Sequence, residues 1–234
     1  MNTKEKYNNL VDFWNSVFDM SEEDKKKTKE NLKDDDYKDF APSKKLFDAV
    51  KKLSNKNKVL DYGCGSGWAS IICAKSGCSD ITSVDPAPNA IDALNFYSDF
   101  FNVSNNIKSE VIDKEWLNKE DDNKYDGIIS SNVLDVIPLA LTNKIIKEFA
   151  RITKKGALVI IGLNFYLDEE KAKSRGMDLA NNELYVNGVL RLLNKKDNEW
   201  IELFSDYFDL EKLDYFAWAG EEKESRRLFY FVRK

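Results

Sequence analysis

Apolar side chains recur at helical spacing through the first part of the chain. Leu10, Val11, Trp14, Val17 and Phe18 fall on one face of a predicted helix. A second helix opens at Ser21, with Asp24 three residues on as a weaker form of the capping box, and runs through a charged stretch to Leu32. Its charges read as a solvated face. Asp34, Asp35 and Asp36 are consecutive and point in divergent directions, so a surface loop is the expected reading and not a cation site. Pro42 and Ser43 start a third helix, whose Leu46, Phe47, Val50 and Leu53 form another apolar stripe.

From Lys58 the pattern changes to short apolar runs alternating with helical segments. The spacing predicts strands over 59–62, 81–85, 107–112, 125–130 and 157–163, with helices over 68–76, 89–101 and 139–151 between them. Strands that alternate with helices imply right-handed crossovers and a parallel sheet covered on both faces. Residues 164–196 read as an irregular or helical insert, 198–208 as a helix, and 210–218 with 226–232 as two strands closing the sheet as an antiparallel hairpin. The predicted fold class is α/β: a doubly wound, seven-stranded, mainly parallel sheet with an antiparallel C-terminal hairpin and an N-terminal helical cap. Residues 1–57 form the expected lid or extension, and 58–234 the main domain.

Composition and a few single features adjust this picture. The 234 residues are 42% hydrophobic and 12% aromatic, enough for one sizeable core and incompatible with a mostly disordered chain. With 36 basic and 41 acidic residues the net charge is −5, which disfavours a nucleic-acid partner. Cys64, Cys73 and Cys78 are odd in number and lack metal-ligand spacing, so neither a disulfide framework nor zinc is expected, and a reduced, cytoplasmic protein is. Charges interrupt the first twenty residues, and no uncharged apolar run reaches about eighteen, so neither export nor a membrane span is expected. The triplet Asn102-Val103-Ser104 matches a glycosylation acceptor but reads as chance without export. The chain contains no histidine.

In open α/β sheets ligands bind beyond the carboxyl ends of the strands, where strand order reverses. The loop after the first predicted strand is Val59-Leu60-Asp61-Tyr62-Gly63-Cys64-Gly65-Ser66-Gly67. Its glycines permit positive φ and let a ligand lie against the backbone, with the next helix's amides aimed at the same place. A dinucleotide fingerprint needs glycine at 68, where this chain has Trp68. A carboxylate at Asp61 repels a pyrophosphate and attracts an ammonium or sulfonium. Asp85, closing the second strand, is an acceptor-only group able to take both hydroxyls of a ribose. A ribose attached to a cation describes S-adenosylmethionine.

With Asp61, Gly63, Gly65, Gly67 and Asp85 in this order, the sequence resembles the class I S-adenosylmethionine-dependent methyltransferases, particularly the bacterial group acting on small molecules. The resemblance covers about residues 40–234, with its specific motifs between 59 and 138. It implies S-adenosylmethionine as cofactor and S-adenosylhomocysteine as product. Pro86 continues the cofactor site. Asp113 would bond the adenine amino group, Trp116 would cover the ring, and Asn132, in the turn after the fourth strand, would lie beside the transferred methyl. Structural alternatives are a loop acid, a core aromatic and a helix-start residue. Many relatives carry histidine where this chain has Val136, and some use it as a base, so a base here would be a carboxylate, tyrosine, lysine or the substrate itself.

Methyl transfer is an in-line displacement, so proximity, alignment and exclusion of water are expected to supply most of the catalysis. Asp61 is assigned to the methionine ammonium or to bracing the glycine turn. The N-terminal helices and the insert are the expected lid. Trp14, Asn164, Tyr166, Arg175 and Tyr185 are the candidate substrate contacts, and Arg175 hints at an anionic group on the substrate. Trp14 reads first as helix packing, and Arg175 first as a solvated charge. The leading expectation is methylation of an unidentified small molecule. The alternatives are an RNA or protein substrate, or a catalytically silent cofactor-binding subunit.

Overall fold

Val59, Leu60, Asp61 and Tyr62 are buried on both faces, and this short run occupies the middle of the sheet as β1 (Val59–Tyr62). The computed structural model describes residues 3–180 and 182–234. β2 (Ile81–Asp85) and β3 (Ile107–Val111) lie on one side of β1; β4 (Tyr125–Ser131) and β5 (Thr153–Leu163) lie on the other, all parallel. β10 (Arg226–Arg233) pairs antiparallel with β5 and with the edge strand β9 (Phe208–Phe216), giving the order β3-β2-β1-β4-β5-β10-β9. This is the doubly wound, seven-stranded arrangement that the alternating pattern predicts.

Side chains alternate between the sheet's faces with the strand period of two. Leu60, Ile128, Ile161 and Phe229 face a core built with α6 (Leu139–Ile152) and α8 (Asp197–Ser205). Val59, Ile129, Ile160 and Leu228 face the opposite core, shared with α3 (Lys44–Lys51) and α4 (Trp68–Lys75). α5 (Pro88–Phe100) packs against α4 on that side. Leu46, Ala49 and Val50 of α3 are completely buried there, as is Leu53 just beyond its end, so the third N-terminal helix is part of the sheet's covering layer. α1 (Thr3–Val17) instead packs on α5. Val17, expected on its apolar face, is 50% exposed because the helix ends there and Phe18 turns inward in its place. α2 (Glu22–Asn31) starts with the capping box at Ser21 and Asp24 that its sequence predicts.

The insert differs from its expected form. Residues 164–196 hold the short α7 (Glu169–Ser174) and a three-stranded antiparallel sheet of β6 (Asp178–Ala180), β7 (Glu183–Val186) and β8 (Val189–Leu193). Val186 pairs with Val189, leaving Asn187-Gly188 as a two-residue turn with φ of 51° and 75°. Asn-Gly is the pair such a hairpin favours, because both central residues need positive φ. Leu184 and Leu192 join Leu167 and Ala172 in a small core of their own, while Leu190 and Leu193 enter the main core. Two boundaries also shift. β5 begins at Thr153, masked in the sequence by the exposed pair Lys154 and Lys155, and α8 ends at Ser205, so Phe208 opens β9. Among the described residues no helix is long and apolar enough to cross a membrane.

Candidate functional site

Strand order reverses between β1 and β4, and the crevice at their carboxyl ends is floored by the glycine loop. Gly63, Gly65 and Gly67 have φ of 72°, 53° and 83°. A Cβ would also have no room: at Gly63 it would lie 2.2 Å from Val133, and at Gly67 2.1 Å from Leu94. Glycine is required here for both conformation and space.

The two acids do different work around this loop. Asp61 is 3% exposed and lies beneath it, where one carboxylate oxygen accepts from the Ser70 N–H at 3.2 Å and from the Ser70 hydroxyl at 2.5 Å. The first turn of α4 is thereby tied to β1. Burial pushes the Asp61 carboxyl up to about 7, with the Ser70 bonds opposing the shift. Asp85 faces the crevice; its two oxygens accept from the Gly65 N–H at 3.0 Å and the Ala87 N–H at 2.9 Å. Burial raises its pKa also, and those two bonds oppose it. Each oxygen keeps a further lone pair for a ligand hydroxyl.

Above this floor is a cavity of about 280 Å³, roofed by Tyr7, Leu10, Val11, Trp14 and Phe18. The Phe18 ring sits directly over the loop, 2.9 Å from where a Gly65 Cβ would be. α1 is fastened by a reciprocal pair: Asn15 Oδ1 accepts from the Asn89 N–H, and Asn89 Nδ2 donates to the Asn15 carbonyl, both at 2.9 Å. Asn15 thus caps α5, whose own N-cap Ala87 has no side chain to do so. Burial, with the charges of Asp85 and Asp113, pushes the Tyr7 hydroxyl up to about 12.

A second cavity of about 190 Å³ adjoins the first, sharing Trp14, Asn132, Val136 and Trp218 with it. Its remaining wall is Asn164 and the insert residues Phe165, Leu167, Met177, Leu190, Arg191 and Leu192. Asn132 has a φ of 59°, donates its N–H to the Gly162 carbonyl at 2.8 Å, and donates Nδ2 to Asn164 Oδ1 at 2.8 Å. Arg226 donates to the same oxygen. The Asn164 backbone is clamped from both sides: its N–H donates to Asp135 at 2.6 Å and its carbonyl accepts from Arg227 Nε at 2.7 Å. Burial pushes the Asp135 carboxyl up and the Arg227 guanidinium down.

Of the residues singled out from sequence, Gly63, Gly65, Asp85, Pro86, Asn132, Asn164 and Trp14 line these cavities. Gly67 supports the loop as the N-cap of α4. The others lie outside both. Asp113 is exposed and accepts from the Glu115 N–H at 2.8 Å. Trp116 is 6% exposed within the core, its Nε1 donating to Glu110 at 3.0 Å. Tyr166 is 43% exposed, and Arg175 is exposed beside the Phe165 ring. Tyr185 packs against the main core with its hydroxyl on Glu183. Sequence reading missed Tyr7, Phe18, Met177, Arg191 and Trp218. Phe18 ends the apolar stripe of the first helix, and Arg191 stands in a hairpin whose short strands leave no clear alternation in the sequence.

The family described as a methyltransferase domain matches residues 17–205. The ribosomal protein L11 methyltransferase of Thermosipho melanesiensis is 36% identical over 112 residues, 47% of this chain and 39% of that one. Its counterpart from Thermotoga neapolitana is 26% identical over 162 residues, covering 68% of this chain and 53% of the relative. The chain therefore spans about half the length, or less, of these curated relatives. Among solved structures, an S-adenosylmethionine dependent methyltransferase from Mesorhizobium loti aligns with a TM-score of 0.64 at 15% identity, covering 83% of this chain and 99% of that one. The PH0226 protein from Pyrococcus horikoshii OT3 aligns at 0.60 and 16% identity, covering 85% and 95%. The glycine cradle and the cavity-facing carboxylate of Asp85 suit the nucleoside cofactor that this fold and these relatives imply. The chain belongs to the class I S-adenosylmethionine-dependent methyltransferases.

Proposed function

We propose that the protein methylates a small molecule seated in the second cavity, using S-adenosylmethionine held over the glycine loop. The observation that carries this reading is that the two cavities meet at Asn132, Trp14, Val136 and Trp218 under a common roof. An acceptor confined between the insert and α1 is a small one. When bound, the sulfonium supplies an activated methyl group. Asp85 is assigned to the ribose hydroxyls and Asp113 to the adenine amino group, while Trp116 keeps a packing role. Asn132, positioned by Asn164, borders both spaces and orients the two reactants. The apolar roof excludes water, and the main catalytic contribution is alignment, on the order of 7 to 11 kcal/mol in well-oriented systems.

The lining offers no strong base. Tyr7, held at about 12, stays protonated near neutral pH, and Asp85 is already bonded to two backbone amides. That favours acceptors nucleophilic without assistance, such as an amine, a thiolate or a carboxylate. The free, buried thiols fit a cytoplasmic setting.

The test is turnover with methyl-labelled S-adenosylmethionine and a panel of amines, thiols, phenols and carboxylates, with S-adenosylhomocysteine and NAD titrated separately. Label transfer to a small acceptor supports the reading; tight NAD binding, or no affinity for S-adenosylhomocysteine, refutes it. The names of the curated relatives favour a second reading, a ribosomal protein substrate. Label appearing on ribosomal protein L11, and on no small acceptor, would replace the first reading with the second.

A further inference from the structure

Arg191 stands on β8 where the insert meets the lid. Its guanidinium lies 3.8 Å from the centroid of the Phe13 ring on α1, and its side chain lines the second cavity. Stacking uses the face of a guanidinium and leaves its N–H edge available. Among the described residues, no hydrogen bond or ion pair engages that edge. Arg151, Arg226, Arg227 and Arg233 differ, each donating its N–H groups to protein oxygens. Arg175 is likewise without an oxygen partner among the described residues, but it is exposed on the surface and lines neither cavity.

Arg191 is half-buried against an otherwise apolar wall of Phe165, Leu167, Met177, Leu190 and Leu192, and no carboxylate lines that cavity. A fixed cation partly withdrawn from water, without a counter-ion, is costly unless a ligand completes it. The planar fork of arginine matches a carboxylate bidentately. We infer that the methyl acceptor is a small molecule with an apolar body and a carboxylate group, the carboxylate gripped by Arg191 and the body packed on the Met177 and Leu190 wall. The inference rests on the methyltransferase reading and deepens it by naming the substrate class. Because Phe13 belongs to α1, an anion bound to Arg191 also stiffens the contact between insert and lid.

Calorimetric titration tests this. S-adenosylhomocysteine is titrated first into the full chain and its Arg191→Gln variant. With that product saturating, benzoate, phenylacetate and 4-hydroxyphenylacetate are then each compared with the corresponding amide. The expected result is that at least one carboxylate binds the unaltered protein about tenfold or more tighter than its amide, as for loss of one charge-assisted contact. Arg191→Gln abolishes that preference and leaves S-adenosylhomocysteine affinity within about twofold, because a neutral amide cannot replace the ionic fork. Arg191→Lys, which keeps the charge without the fork, gives an intermediate preference. Failure of every carboxylate to bind, or an undiminished preference in Arg191→Gln, overturns the inference. Failure of S-adenosylhomocysteine to bind the unaltered protein is a separate outcome, seen before any acceptor is added, and it overturns the methyltransferase reading itself.

Discussion

Asp61 and Asp85 are both buried carboxylates at the glycine loop, yet only Asp85 reaches the crevice. For Asp61 the folded pKa of about 7 stands above the usual carboxylate value, so between the two the folded state holds more protons than the unfolded one. Its stabilising contribution is complete below the unfolded pKa and is lost as pH rises through about 7. Asp61→Asn keeps an acceptor for Ser70 and removes the titration. The melting temperature of the unaltered protein should therefore fall relative to Asp61→Asn between pH 5 and 8, by roughly 2–4 °C for each kcal/mol lost. Parallel melting curves that keep a constant offset over that range would show Asp61 to be ionised throughout. Asp85→Ala strips partners from the Gly65 and Ala87 amides and removes the crevice's carboxylate. Its affinity for S-adenosylhomocysteine should drop about tenfold or more, since bonds to a charged group are each worth roughly 1.5–3 kcal/mol; an unchanged titration removes Asp85 from the site. The glycine-and-acid core was legible because steric and charge requirements act within a few adjacent residues. Trp116 was not, because its position depends on how the loop after β3 packs: it has a partner in Glu110 and a place in the core.

At the scale of elements, α1 is the cover of the site. Its apolar side chains cover the crevice, and the Asn15–Asn89 pair holds its C-terminal turn to the start of α5. Replacing Asn15 by Ala removes the side-chain bond, a cap worth about 1 kcal/mol, and leaves the Asn89 N–H unserved. The expected outcome is a several-fold weaker titration with S-adenosylhomocysteine and faster proteolytic cleavage around residues 17–21, with the main melting transition nearly unchanged. Equal cleavage rates in the two proteins would exclude this pair as the fastening of the lid. The same helix shows what periodicity can and cannot convey. Leu10, Trp14 and Phe18 read as an apolar stripe, but a stripe facing a core and a stripe facing a cavity have the same period. The central strands were readable because burial on both faces leaves continuous apolar runs bounded by turns. The insert was not, because its strands are short and carry Glu183, Asp178 and Arg191 among their leucines; its clear signal was the Asn187-Gly188 turn.

Across the whole molecule, one buried cluster joins the sheet, the insert and the C-terminal hairpin. Asp135 follows β4, Asn164 follows β5 and Arg227 lies on β10; Asp135 is 0% and Arg227 1% exposed. Asp135 holds the Asn164 N–H and, through its own carbonyl, the Leu193 N–H of β8 at 2.6 Å. Arg227 holds the Asn164 carbonyl and that of Lys195 at 2.5 Å. Asn164 therefore meets Asn132 at the junction of the two cavities because charges from distant parts of the chain fix its backbone. Buried charged groups of this kind add little net stability; Asp135 acts on Arg227 through its charge alone, the arginine's own ion pair being with Asp197 at 3.4 Å. Asp135→Leu leaves the Asn164 N–H without its acceptor, costing about 1–3 kcal/mol, and removes one of the two acids whose charge supports Arg227, the other being Asp197. Combining it with Arg227→Met should recover part of that loss, since packed apolar side chains can replace buried charged groups. Methyl transfer should behave differently: the double variant frees both ends of the Asn164 peptide, so turnover should stay well below that of the unaltered protein while S-adenosylhomocysteine still binds. Recovery of turnover together with stability would mean that the cluster only holds the fold, and that the Asn132–Asn164 contact does not depend on it.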